Sequence, residues 1–100
     1  MIRPRHPKPD ANQAAIVEEC EKAGIYVWVL SDLGGEVLDT LMFKAGICIP
    51  VEIKVPGQEQ AFTKGEIEGM RRLSSVGVFP LVATSAEEII RVFEVRAEIR

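Results

Sequence analysis

The chain has 100 residues, 47% of them hydrophobic and 27% charged, with a formal net charge of −3 and two cysteines. That length makes one domain with a core large enough to stand without staples, and that composition excludes the disordered, fibrous and low-complexity classes. The negative balance excludes coating of nucleic acid by bulk positive potential, and no apolar run, residues 47–51 with Pro50 inside among them, comes near the ~20 residues a membrane span takes.

Residues 1–9 read as a basic, flexible leader in which Arg3, Arg5, His6 and Lys8 stand among prolines. Such a segment is expected to be non-helical, either a solvated tail or an arm that trails along a phosphate backbone. It lacks a signal-peptide hydrophobic region, so a cytoplasmic protein is expected. A single domain is expected over residues 10–100. Asp10 is placed to cap a first helix whose apolar residues Ile16, Val17 and Cys20 recur at helical spacing until Gly24 stops it. Residues 25–30, β-branched and aromatic throughout, read as a strand buried on both faces with Trp28 in the core. Residues 37–43 and 47–55 read as two further strands around the hairpin punctuation Lys44-Ala45-Gly46.

Thr63 with Glu66 three residues on is a capping-box pattern that opens a second helix, closed near Gly77. Residues 79–84 form a short fourth strand, and Ser85 with Glu88 opens a last helix through Ile89, Ile90 and Phe93. The order α-β-β-β-α-β-α predicts a mixed α/β (α+β) domain, an antiparallel meander followed by a right-handed parallel crossover, with helices flanking a four-stranded mixed sheet. Cys20 and Cys48 read as free thiols rather than a bridge.

The third strand carries Glu52 and Lys54 on one face. If the hairpin turns on the two residues Ala45 and Gly46, paired positions sum to 91 and Asp39 falls opposite Glu52, with Cβ atoms roughly 5 Å apart. A three-residue loop would shift pairing by one and send Asp39 to the other face. Pro50 fits poorly inside a central strand, so the strand either starts near Val51 or carries a bulge there. Two facing carboxylates repel unless a proton or cation lies between them, and oxygen ligation with spare positions suits Mg²⁺ or Mn²⁺. A surface ion pair between Glu52 and Lys54 is the plainer reading of the same residues.

Leu38-Asp39 and Glu52-Ile53-Lys54, with Phe62-Thr63-Lys64-Gly65-Glu66 after them, resemble the PD-(D/E)XK nuclease superfamily with its restriction-endonuclease-like fold. The small phage-type VRR-NUC proteins, akin to Holliday-junction resolvases, are the nearest members in pattern, and the likeness extends from residue 10 to residue 93. It implies that Asp39, Glu52 and the Ile53 backbone carbonyl bind Mg²⁺ (or Mn²⁺) and that Lys54 positions the attacking water. It also implies approach of a DNA phosphate at Ser31, Gly34 and Gly35 on the loop before Asp39, and at Thr63 and Lys64. The sequence departs from the family in three places. Leu38 stands for the proline, Gln13 (with Asn12 beside it) stands where relatives carry a metal-linked Glu, and Glu66 replaces the usual Gln.

His6 is the sole histidine and lies in the leader, so a Ser-His or Cys-His couple lacks its base; no Walker, Rossmann or zinc-ligand spacing is present, and no organic cofactor is expected. The reading is a metal-dependent DNA endonuclease that hydrolyses phosphodiester bonds, with branched DNA as a structure-specific substrate. The alternative is a nuclease-fold module that no longer cuts and serves in nucleic-acid binding or assembly. A chain this small cannot enclose a duplex, so a homodimer is expected, with Ile89, Ile90, Phe93 and Val95 on the last helix as one candidate interface and ordinary core packing as the other reading of the same residues.

Overall fold

The structure, a computed structural model, describes residues 7–99. Helix α1 spans Pro7–Lys22, strand β1 Tyr26–Val29, β2 Thr40–Lys44, β3 Ile47–Ile53, helix α2 Lys64–Ser75, β4 Leu81–Ala83 and α3 Ala86–Ile99. A single 3-10 turn, Ser31–Leu33, follows β1. Helix α1 thus starts three residues before the expected cap Asp10, because a proline is tolerated in a first turn where its missing N–H has no intrahelical partner. Arg3, Arg5 and His6 of the leader lie outside the described residues.

The four strands form one mixed sheet in the order β1-β2-β3-β4, antiparallel except for the parallel pair β3–β4. The β2–β3 hairpin turns on Ala45 and Gly46, with φ 54° and 80°. Two positive φ values are what a tight hairpin matched to the strand twist requires. Thr40 therefore pairs Val51 and Lys44 pairs Ile47, the register in which positions sum to 91. Pro50 sits unbulged inside β3, opposite Leu41. Its tolerance follows from alternation: Ile53 N–H points to the β2 side and Lys54 N–H to Ala83 on the β4 side, so the absent N–H of Pro50 would face β4, which begins only at Leu81.

One sheet face supplies Val27, Met42, Ile49, Val51 and Ile53 to a core completed by Ile16 and Cys20 of α1 and by Ala86, Ile89 and Phe93 of α3. Of the α3 residues with two readings, Ile89 and Phe93 follow the core-packing one, since this helix covers the sheet, while Val95 is 41% exposed. The opposite face carries Tyr26, Trp28, Leu41, Phe43, Cys48, Pro50 and Glu52, by the period-2 alternation of the strands. Trp28 is 48% exposed and Tyr26 64%, which overturns the expectation of a doubly buried first strand. Strand β1 is an edge strand covered on one side only, and its aromatic side chains pack on each other and on Phe43 instead. Both cysteines are free, Cys20 buried and Cys48 exposed. Among the described residues no helix is long and apolar enough to cross a membrane.

Helix α2 opens with the expected capping box: Thr63 Oγ1 accepts from Glu66 N–H, and the Glu66 carboxylate accepts from Thr63 N–H. It lies on the loop that leads into Asp39. Gly65 and Gly69, one turn apart, face the backbone of Gly35 and Glu36, and a Cβ at either would overlap a loop carbonyl oxygen. At α3 the box is rearranged: Ser85 Oγ accepts from Glu88 N–H, but the Glu88 carboxylate accepts from Thr84 N–H.

Candidate acidic site at the end of the third strand

Asp39 immediately precedes β2, Glu52 is the penultimate residue of β3 and Lys54 immediately follows it. Both strands are shorter than expected at this end, so the loop before Asp39 and the chain after Ile53 leave the sheet side by side. The register continues through side chains. Asp39 N–H donates to Glu52 Oε1 at 3.1 Å, and Ile53 N–H donates to Asp39 Oδ2 at 2.9 Å. Each carboxylate thus has one oxygen fixed by the other strand's backbone. Leu30 N–H adds a bond to the Asp39 carbonyl at 2.7 Å.

Glu52 is 1% exposed. Its second oxygen faces Lys54 Nζ at 3.4 Å, and Lys54 Nζ also donates to Glu66 Oε1 at 3.1 Å and to the Ala61 carbonyl at 2.8 Å, with its charge 4.9 Å from the centre of the Phe62 ring. Of the three N–H donors of the ammonium, two are hydrogen-bonded to Glu66 and Ala61, and Glu52 is held as an ion pair. Burial pushes the Glu52 carboxyl up to about 8, and the Asp39 charge adds to the effect. Burial raises Asp39 as well, against the Ile53 N–H that favours its ionised form. Burial acts against the charge on Glu66 too, but the Thr63 N–H, Glu52 and Lys54 outweigh it and hold that carboxyl below the usual range. For Lys54 burial works against the charge, and Glu66 with Glu52 outweighs it and raises the ammonium. Three carboxylates around one lysine leave a negative surplus, and the proton retained by Glu52 relieves part of it.

The donor set fits a hard divalent cation: two carboxylates with a backbone carbonyl beside them. The carbonyl's direction follows from peptide geometry. Lys54 N–H points to Ala83 O at 2.9 Å, and with no cis peptide bond in the described chain the Ile53 carbonyl, trans to that N–H, points the other way, to the Asp39 side. No group of three or more His, Cys, Asp or Glu among the described residues is arranged to hold a metal, so any ion here would complete its shell with that carbonyl and water.

The other expected site residues are placed differently. Gln13 Nε2 donates to Ser31 Oγ at 3.2 Å, so these two bond to each other rather than reaching the carboxylates. Gly34 and Gly35 have φ 65° and 62°, and Gly35 packs under Gly65 of α2. The Thr63 hydroxyl serves the helix cap, and Lys64 is exposed at the first position of α2. One residue escaped the sequence reading, Ala61, which acts through its backbone and leaves no side-chain signal, and Asn12, noted there only as the neighbour of Gln13, donates from Nδ2 to the Lys54 carbonyl at 3.3 Å. The contact surface Gly65/Gly69 had a signal in its i, i+4 spacing inside a helix. No protein-family model, curated protein or solved structure matches the chain.

Proposed function

We propose that the protein is a Mg²⁺- or Mn²⁺-dependent deoxyribonuclease of the PD-(D/E)XK type, with the restriction-endonuclease-like fold, acting as a homodimer on DNA. The observation that carries the reading is the reciprocal pair Asp39–Glu52, each carboxylate fixed by the partner strand's backbone, with Lys54 3.4 Å from Glu52. A structural ion pair is complete with Lys54 and Glu66 alone; it needs neither a second buried carboxyl nor a third beside it. Charged groups taken from water cost several kcal/mol each, roughly, unless compensated. A cation site gives that surplus a purpose.

In this reading Asp39, Glu52 and the Ile53 carbonyl hold the ion, which when bound supplies charge neutralisation at a phosphate oxygen and a water of lowered pKa. Lys54 brings a fixed positive charge to the same side and holds Glu52 in its rotamer. With two of its N–H groups bonded to Glu66 and Ala61, the third, on the side of Glu52, is the one with which it orients a water. Glu66 keeps that ammonium in place through an oxygen shared with the α2 cap.

Cleavage of branched and linear DNA in Mg²⁺, Mn²⁺ or EDTA, run beside Asp39→Asn, tests the proposal. Metal-dependent cutting that disappears in the variant is expected; DNA bound and left intact by the wild type under every condition would replace the nuclease with a binding module.

A further inference from the structure

Resting on the nuclease reading above, we infer that Asn12 is a positioning residue for the metal site, acting through the backbone of Lys54. Three backbone groups around the Ile53–Lys54 peptide are bonded in different directions. Ile53 N–H goes to Asp39 Oδ2, Lys54 N–H to Ala83 O, and the Lys54 carbonyl accepts from Asn12 Nδ2. The first two come from the ends of the neighbouring strands. The third comes from α1, 42 residues earlier in the chain.

The need for it is topological. Strand β3 ends at Ile53 and β4 at Ala83, so no ladder partner continues to the Lys54 carbonyl. A partly buried carbonyl takes a donor wherever one is offered. The Ile53–Lys54 peptide is held by its own N–H on Ala83 O, and with the next carbonyl held by Asn12 the Lys54 Cα lies between two bonded peptides, which fixes the root of its side chain and steadies the Ile53 carbonyl. Asn12 suits the task chemically. Its amide donates without adding charge, whereas a carboxylate could not donate and a cation would compete with Lys54 for Glu52 and Glu66. Docking of α1 does not depend on it, because Ile16 and Cys20 farther along the helix are already buried in the core.

Outer partners of this kind are worth about tenfold or more in metal affinity. Calorimetric titration of the full chain with Mn²⁺ is therefore the test, on wild type, N12A and N12L, with melting of each in EDTA. N12L keeps the bulk of the side chain and removes only the donor. Wild type is expected to bind, and both variants to bind about tenfold more weakly while melting near the wild-type temperature. Equal affinity in wild type and variants overturns the role of Asn12 and leaves the nuclease reading intact. A variant that loses affinity only because it is unfolded at the titration temperature also overturns it, making Asn12 a folding residue. If wild type itself takes no Mn²⁺, the nuclease reading fails and this inference with it.

Discussion

The sheet face turned away from α1 and α3 treats water in opposite ways at its two ends. At the hairpin end Tyr26, Trp28 and Phe43 stack on one another with ring centroids 5.0–6.5 Å apart, and Trp28 and Tyr26 stay open to solvent. At the other end, one strand pair away, Glu52 is 1% exposed and Lys54 is enclosed by acceptors under the Phe62 ring. Hydrophobicity alone would reverse this arrangement, burying the aromatic rings and leaving the acids wet. The difference lies in α2: it lies against the loop before Asp39 and covers the charged end, through a contact that only glycine at positions 65 and 69 permits. Burying charge in place of aromatics is a cost against stability, which is the usual mark of a functional site.

The largest effect expected breaks the charged end. Asp39→Asn should remove DNA cleavage by about 1,000-fold or more, the several kcal/mol that metal ligation contributes, while circular dichroism stays that of the wild type. Undiminished cleavage, or an unfolded variant, would return Asp39 to a structural role.

The second prediction uses pH to separate the ends. The Glu52 carboxyl is raised from 4.5 to about 8, so the metal-free folded state holds a proton that the unfolded chain has released. Its contribution is complete below the unfolded value and is lost as pH rises through about 8; Asp39, also raised, acts with the same sign. Melting in EDTA should therefore show about 2 kcal/mol lost between pH 6 and 9, and Glu52→Gln should flatten that slope. A wild-type slope no steeper than the variant's would mean that the carboxyl is ionised in the folded state.

Gly69→Ala sharpens the account of why one end is covered. The methyl group gains ~1 kcal/mol of helix propensity and meets the Glu36 carbonyl oxygen. Overpacking of about 1–3 kcal/mol should win, so denaturant titration should show net destabilisation together with weaker metal binding. Stabilisation would show that the loop moves aside freely. Trp28→Ala, at the open end, should be the mildest change, about 1 kcal/mol from lost ring contacts and no change in metal affinity.

Much of this was legible in the sequence where the chemistry is local. Two turn residues set the hairpin register that brings Asp39 to Glu52, and Thr63 with Glu66 announced the α2 cap. The exposure of Trp28 was not legible, because a β-branched, aromatic run marks a strand but not whether helices cover both its faces. The same limit hid the partner of Asn12 and the part played by Ala61: one bonds across 42 residues, the other through a carbonyl every residue possesses. Gln13 and Asn12 bond different partners, Ser31 and the Lys54 carbonyl, since which amide of a helix points where depends on the helix's rotation against the sheet.

The most direct test of the central claim, that the Asp39–Glu52 pair is built for a divalent cation, is melting of wild type and Asp39→Asn in EDTA and in excess Mg²⁺ or Mn²⁺. At 100 times Kd a bound ion adds about 2.7 kcal/mol, about 10–20 °C for a domain of this size, and the account predicts that shift in the wild type and its absence in Asp39→Asn. A wild type that melts at the same temperature with and without the ion, or a variant that shifts equally, would contradict it.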